Sequence, residues 1–119
     1  MATSLRGIAG AFGRLAADAS PVATVMAAHP VLVGGVGRDD TILMEAVPGL
    51  IAKGGAEGVL VVGHRDGWSA AVKVADGNPR ALLPVTIALL ADRLVDADLS
   101  PAPILGHGHP VGTVEAVIY

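Results

Sequence analysis

The stretch that decides the fold is residues 50–74, LIAKGGAEGVLVVGHRDGWSAAVKV, in which three apolar runs alternate with glycine-containing turns. Residues 59–62 form a β-branched run, and Asp66-Gly67 is a favoured pair in a hairpin turn. This pattern predicts antiparallel strands over about residues 50–74.

The segments before this stretch predict helices. Apolar residues at helical spacing over 5–16 indicate an amphipathic helix, for which Thr3 or Ser4 is a suitable N-cap. Pro21 suits the first turn of a short second helix, which ends before Pro30. Asp39 or Asp40 is expected to cap a third helix over residues 41–46.

The segments after it predict one long, buried C-terminal helix over about residues 79–95, with Pro84 kinking it or confined to its first turns. Residues 113–119 are expected to add an edge strand. The order of elements predicts the α+β class.

The composition favours one folded domain over the 119 residues. Hydrophobic residues make up 52% and charged residues 16%, which excludes an intrinsically disordered chain. The net charge is −3, there is no basic cluster, and aromatic residues are scarce, so nucleic-acid binding is not expected. The absence of cysteine excludes disulfides, thiolate zinc sites and a cysteine nucleophile.

Prolines and glycines interrupt the uncharged stretch between Asp18 and Arg38, so no membrane-spanning helix is expected. The N-terminal residues do not show the basic start, apolar run and cleavage site of a secretory signal. We therefore expect a soluble, cytoplasmic protein.

Lys53 is the most informative candidate for chemistry, because Gly54 and Gly55 follow it and let a backbone approach a ligand beside an ammonium group. The alternative is a solvated lysine before a glycine hairpin. Arg38 is a candidate for binding a carboxylate, or for a local ion pair with its neighbours Asp39 and Asp40.

Other candidates are weaker. His107 and His109 give two ligands of a metal site without a third, and the alternative is a flexible surface loop. Ser69 and Lys73 are four residues apart on a predicted strand, about 13 Å, which is too far for proton transfer. No metal ion or cofactor is expected.

Three motifs together resemble the bacterial type-II L-asparaginase family of the rhizobial kind. They are His29-Pro30 followed by GGVGRDDTILM at residues 34–44, AKGGAEGV at residues 52–59, and AVKVADGNPRA at residues 71–81. The resemblance implies hydrolysis of L-asparagine to L-aspartate and ammonia, on a fold like that of serine β-lactamases and penicillin-binding proteins.

The resemblance also implies roles for individual residues. Lys53 would be catalytic, in proton transfer or carboxylate binding, and Gly54, Gly55, Glu57 and Arg38 would contact the substrate. The chain would correspond to the C-terminal part of a larger asparaginase-like domain, because the family's Ser-x-x-Lys nucleophile motif does not occur in it. Alone it would be inactive, with a small amide as substrate in the complete domain.

Two further hypotheses remain open. The chain is alternatively a non-catalytic module that keeps the scaffold and self-associates or binds a small ligand. The third hypothesis is a metal-binding protein that uses His107 and His109.

Overall fold

The computed structural model describes residues 2–118, which form helices followed by an antiparallel sheet, a further helix and a small hairpin. The α+β class is thereby confirmed. None of the helices in this range combines the length and apolar character needed to cross a membrane. In chain order the elements are α1 (Leu5–Ala17), α2 (Pro21–Ala28), α3 (Pro30–Gly34), α4 (Asp39–Ala46), β1 (Leu50–Gly55), β2 (Val59–His64), β3 (Ser69–Lys73), α5 (Leu82–Leu89), β4 (Ile104–Gly106) and β5 (His109–Gly112).

Serine side chains cap the first two helices. Ser4 Oγ accepts a hydrogen bond from the Gly7 amide at 3.0 Å, which decides between the two predicted N-caps of α1. Ser20 does the same for α2, where Pro21 occupies the first turn.

The expected cap of α4 is wrong. The N-cap is Arg38, which makes no side-chain capping bond, and the two aspartates lie inside the first turn. Their negative charges there favour the helix through its dipole, and the carboxylate of Asp40 is free to bond elsewhere.

The three central strands form a sheet in the order β1-β2-β3, with both neighbours antiparallel. Leu50 pairs with His64, and Val59 pairs with Lys73. Positive φ angles at Gly58 (66°) and Gly67 (91°) close the two hairpins. The predicted antiparallel strands are therefore confirmed.

Helices cover both faces of this sheet. Helix α1 packs on one face, where its backbone approaches so closely that a Cβ on Gly63 would collide with the Phe12 carbonyl. Helices α4 and α5 cover the other face and enclose the larger apolar core. Fully buried side chains of this core include Leu43, Leu50, Leu60 and Val62.

The two edges of the sheet differ. At β1, two backbone amides that point away from β2 have acceptors. The Leu50 amide donates to the Val47 carbonyl in the preceding turn at 3.1 Å, and the Gly54 amide donates to the Asp40 carboxylate at 3.0 Å. At β3, alternation of the ladder directs the backbone groups of Ser69 and Ala71 away from β2, and no further strand of residues 2–118 pairs there. The sheet thus has one closed edge and one open edge.

The long helix expected over residues 79–95 is wrong. The α-helix covers Leu82–Leu89, between 3₁₀ turns at Pro79–Ala81 and Ala91–Arg93. Pro84 explains the late start, because proline lacks an amide hydrogen and is tolerated only in a helix's first turn. After Leu89 the tighter turn carries Leu90 and Leu94 into the core, where both are buried.

The C-terminal region forms a hairpin that the sequence analysis does not predict. Strands β4 and β5 are joined by His107 and Gly108, whose φ angles of 50° and 83° suit a two-residue turn. The edge strand expected over residues 113–119 is not formed by residues 113–118, and Tyr119 lies outside the described residues.

Candidate functional site

Lys53 lies near the end of β1 and is held by two acceptors on neighbouring elements. Its Nζ donates to the Val33 carbonyl at 2.9 Å and lies 3.5 Å from Oδ2 of Asp40. The side chain is 47% exposed. Both partners accept hydrogen bonds, so this geometry suits the charged ammonium and fixes its position at the end of the strand.

The carboxylate of Asp40 is the centre of this arrangement. It is almost completely buried, and its Oδ2 accepts the Gly54 amide at 3.0 Å in addition to contacting Lys53. The next residue, Thr41, donates its hydroxyl to the Gly35 carbonyl at 2.6 Å. The start of α4 is therefore bonded both to the end of β1 and to the glycine loop after α3.

A cleft of about 240 Å³ opens beside this cluster. Of the sequence-predicted site residues, Arg38, Gly54 and Gly55 line it, whereas Lys53 borders it through Asp40. The full lining is Gly37, Arg38, Asp39, Asp40, Gly54, Gly55, Val59, Leu60, Pro79, Arg80 and Leu82.

Glu57 does not lie on the cleft wall. It is exposed at the tip of the β1–β2 hairpin with a φ angle of 65°, and its backbone and carboxylate lie close to Gly77. The structure brings Arg38, Gly54 and Gly55 together with the Lys53 ion pair and leaves Glu57 apart.

Asp39 lines the cleft and also a second, adjoining cleft of about 320 Å³. Burial raises the pKa of its carboxyl above the usual value, and the negative charge of Asp40 acts in the same direction. The Arg38 guanidinium opposes this rise in pKa. No ion pair within 4 Å joins Arg38 to either aspartate in residues 2–118, so the local ion pair considered from the sequence is not formed.

Asp40 and Arg80 are not among the site residues predicted from the sequence. Asp40 precedes the helix predicted over residues 41–46 and so has, with Asp39, the position of a cap, whereas its contact with Gly54 spans 14 residues. Arg80 belongs to the third of the quoted motifs, which was the available signal for it, and the fold places it on the cleft wall.

His107 and His109 lie in and beside the β4–β5 turn and are exposed. Within the part of the chain that the structure describes, no group of three or more histidine, cysteine, aspartate or glutamate side chains is arranged to hold a metal ion.

Comparison with known proteins gives a match to one family model. The model described as L-asparaginase II matches residues 1–116, which include all three motifs and every residue of the cleft. No curated protein sequence matches the chain.

Proposed function

This chain belongs to the L-asparaginase II family, and from that premise we propose that it carries part of a site that hydrolyses the side-chain amide of L-asparagine. The products would be L-aspartate and ammonia. The observation that carries the proposal is the fixed Lys53 ammonium, paired with a carboxylate that lines the cleft.

In this proposal Lys53 transfers a proton. When a nucleophile attacks the amide carbonyl, the C–N bond breaks and the departing nitrogen must gain a proton before it leaves as ammonia. The Lys53 ammonium supplies that proton and regains one from the nucleophile, which loses its own proton on attack. Water then hydrolyses the acyl intermediate: its oxygen bonds to the acyl carbon and one of its protons returns to the nucleophile. Backbone groups of Gly54 and Gly55 lie against the substrate, and Arg38 pairs with the substrate's carboxylate. Glu57 contacts the substrate from the tip of the β1–β2 hairpin.

The nucleophile is proposed to lie on another segment of a larger asparaginase-like domain, because the 119 residues contain no Ser-x-x-Lys. The order of helices, three antiparallel strands and a further helix supports a β-lactamase-like arrangement for that domain. We expect the 119-residue chain alone to release ammonia from L-asparagine no faster than buffer does. Ammonia release above that blank would contradict this part of the proposal.

The role of Lys53 is tested in an active form, with the chain joined to or mixed with the segment that carries the nucleophile. Lys53→Met keeps the length of the side chain and removes its charge, and we expect a loss of about 10²–10⁴-fold in kcat with a smaller change in KM.

Lys73→Met is the matched control. Lys73 is exposed at the end of β3, and its Nζ donates to the carbonyl of the next residue. Its replacement should leave turnover nearly unchanged. Equal turnover in the wild type and the Lys53→Met variant would refute the assignment.

The open edge of β3 favours a second candidate function, a self-associating module. Unpaired strand edges pair with other chains, and a second copy of β3 is the proposed occupant. We expect concentration-dependent association of the wild type in sedimentation, and Ala71→Pro should suppress it, because the Ala71 amide points away from β2. Association that persists in this folded variant would exclude the edge as the contact.

A further inference from the structure

Among residues 2–118, Asp39 is the one acidic residue that lines both clefts. It is half-buried, and within residues 2–118 its carboxylate has no hydrogen-bond or ion-pair partner. Asp40 differs, because its carboxylate already accepts a hydrogen bond from the Gly54 amide and forms an ion pair with Lys53. A carboxylate that has lost part of its hydration without gaining a donor is destabilised, and a cationic ligand would relieve that cost.

Positive charges on the same wall restrict what that ligand can be. The guanidinium groups of Arg38 and Arg80 line the cleft with Asp39. Arg80 is 70% exposed and has a loose contact of 3.9 Å with Asp76, so it is available to a ligand. Two guanidinium groups beside one free carboxylate disfavour a divalent cation and suit a small molecule that carries one charge of each sign.

We propose that Asp39 binds the α-ammonium group of a free amino-acid amide, while Arg38 and Arg80 receive its α-carboxylate. This rests on the proposed function and deepens it. Asp39 is then a specificity-determining residue that selects zwitterionic substrates and rejects amides that lack an α-ammonium group, including amides within a peptide.

Equilibrium binding to the 119-residue chain tests this without turnover. The probes are L-asparagine, succinamic acid, which lacks the ammonium group, and 3-aminopropanamide, which lacks the carboxylate. Wild type should bind L-asparagine tightest. Asp39→Asn, which keeps the size of the side chain, should weaken L-asparagine binding about 10- to 100-fold and leave succinamic acid binding unchanged.

Two matched variants complete the test. Arg80→Met should weaken L-asparagine binding and leave 3-aminopropanamide binding unchanged. Asp96→Asn removes an exposed carboxylate that lines neither cleft, and should change nothing. Circular dichroism checks that each variant is folded.

The outcomes separate this inference from the proposed function. One outcome is that the wild type binds L-asparagine and the Asp39→Asn variant either binds it equally well or loses affinity for L-asparagine and succinamic acid to the same extent. The role of Asp39 is then refuted, while the proposed function stands. L-Alanine serves as a zwitterion without a side-chain amide. If L-alanine binds with the same dependence on Asp39 and L-asparagine does not bind, the role of Asp39 holds and the proposed substrate is wrong. If no zwitterion binds, the role of Asp39 is refuted.

Discussion

Replacing Asp40 with alanine should lower the free energy of unfolding by about 2–4 kcal/mol, most of it through one backbone contact. The Gly54 amide donates to Asp40 Oδ2 at 3.0 Å in a nearly buried environment, and such bonds to charged groups contribute about 1.5–3 kcal/mol. The Lys53 ion pair is longer, at 3.5 Å, and Lys53 is half exposed, so solvent screening limits it to about 0–1 kcal/mol.

Three further variants, Asp40→Asn, Lys53→Met and their combination, divide this cost between the contacts. Asp40→Asn keeps an oxygen acceptor for the Gly54 amide and removes the charge, and it should cost about 1 kcal/mol. A double-mutant cycle of Asp40→Asn with Lys53→Met should give a coupling energy below about 1 kcal/mol.

Urea unfolding at neutral pH, followed by circular dichroism, measures the wild type, the Asp40→Ala variant and the three variants of the cycle. A loss below about 0.5 kcal/mol for Asp40→Ala would refute the importance of the Gly54 contact. A coupling energy above about 2 kcal/mol would show that the ion pair, and not the backbone bond, connects α4 to β1.

Three other predictions concern stability. Burial raises the pKa of Asp39, so the cost of ionising this carboxyl in the folded protein is absent below its ordinary pKa and develops as the pH rises through its pKa in the folded state. In urea unfolding, the free energy of unfolding of Asp39→Asn should therefore rise relative to that of the wild type from about pH 3 to pH 7. A difference that stays constant over this range would contradict the prediction. Gly63→Ala should lower the free energy of unfolding by more than about 2 kcal/mol, because the added Cβ meets the Phe12 carbonyl of α1. Gly10→Ala, within α1 itself, has room for a Cβ and should be neutral or stabilising. Equal effects of the two substitutions in urea unfolding would refute the close approach of α1 to β2. His64→Phe keeps an aromatic ring but loses the hydrogen bonds of both ring nitrogens, with the Pro48 carbonyl and the Asp66 amide, each at 3.1 Å. It should lower the free energy of unfolding by about 1–2 kcal/mol, and an unchanged value would show that these bonds do not stabilise the fold.

The sheet could be predicted from the sequence because its signals are local. Each hairpin turn contains a glycine at a position of positive φ, and the strands between them are short apolar runs. Local capping chemistry likewise limited the N-cap of the first helix to Thr3 or Ser4, and Ser4 is the cap.

The helix over residues 79–95 failed because an apolar run gives little information about where a helix stops. Eight of the 13 residues from Leu82 to Leu94 prefer a helix (five leucines, two alanines and Arg93), but Leu90 and Leu94 pack into the core beside a tighter turn. Such a preference depends on the sheet beneath it, which local propensity does not describe.

The site was predicted in part, for a related reason. The Lys53 and glycine motif is contiguous and was identified directly, but its partners Val33 and Asp40 lie 20 and 13 residues away in the chain. Asp40 precedes the helix predicted over residues 41–46 and is of a residue type common at N-caps, so the sequence favoured a capping role for it. The tertiary contact with the strand edge decided otherwise.

The unequal edges of the sheet also set the stoichiometry of any assembly built on it. At β1 the outward amides of Leu50 and Gly54 already have acceptors and Ala52 between them is completely buried, so that edge offers no continuation, and within residues 2–118 the sheet is open only at β3. When two identical antiparallel edges pair, a two-fold axis relates them and each copy uses up the other's open edge. Growth by this route ends at a closed dimer and does not continue into a fibre.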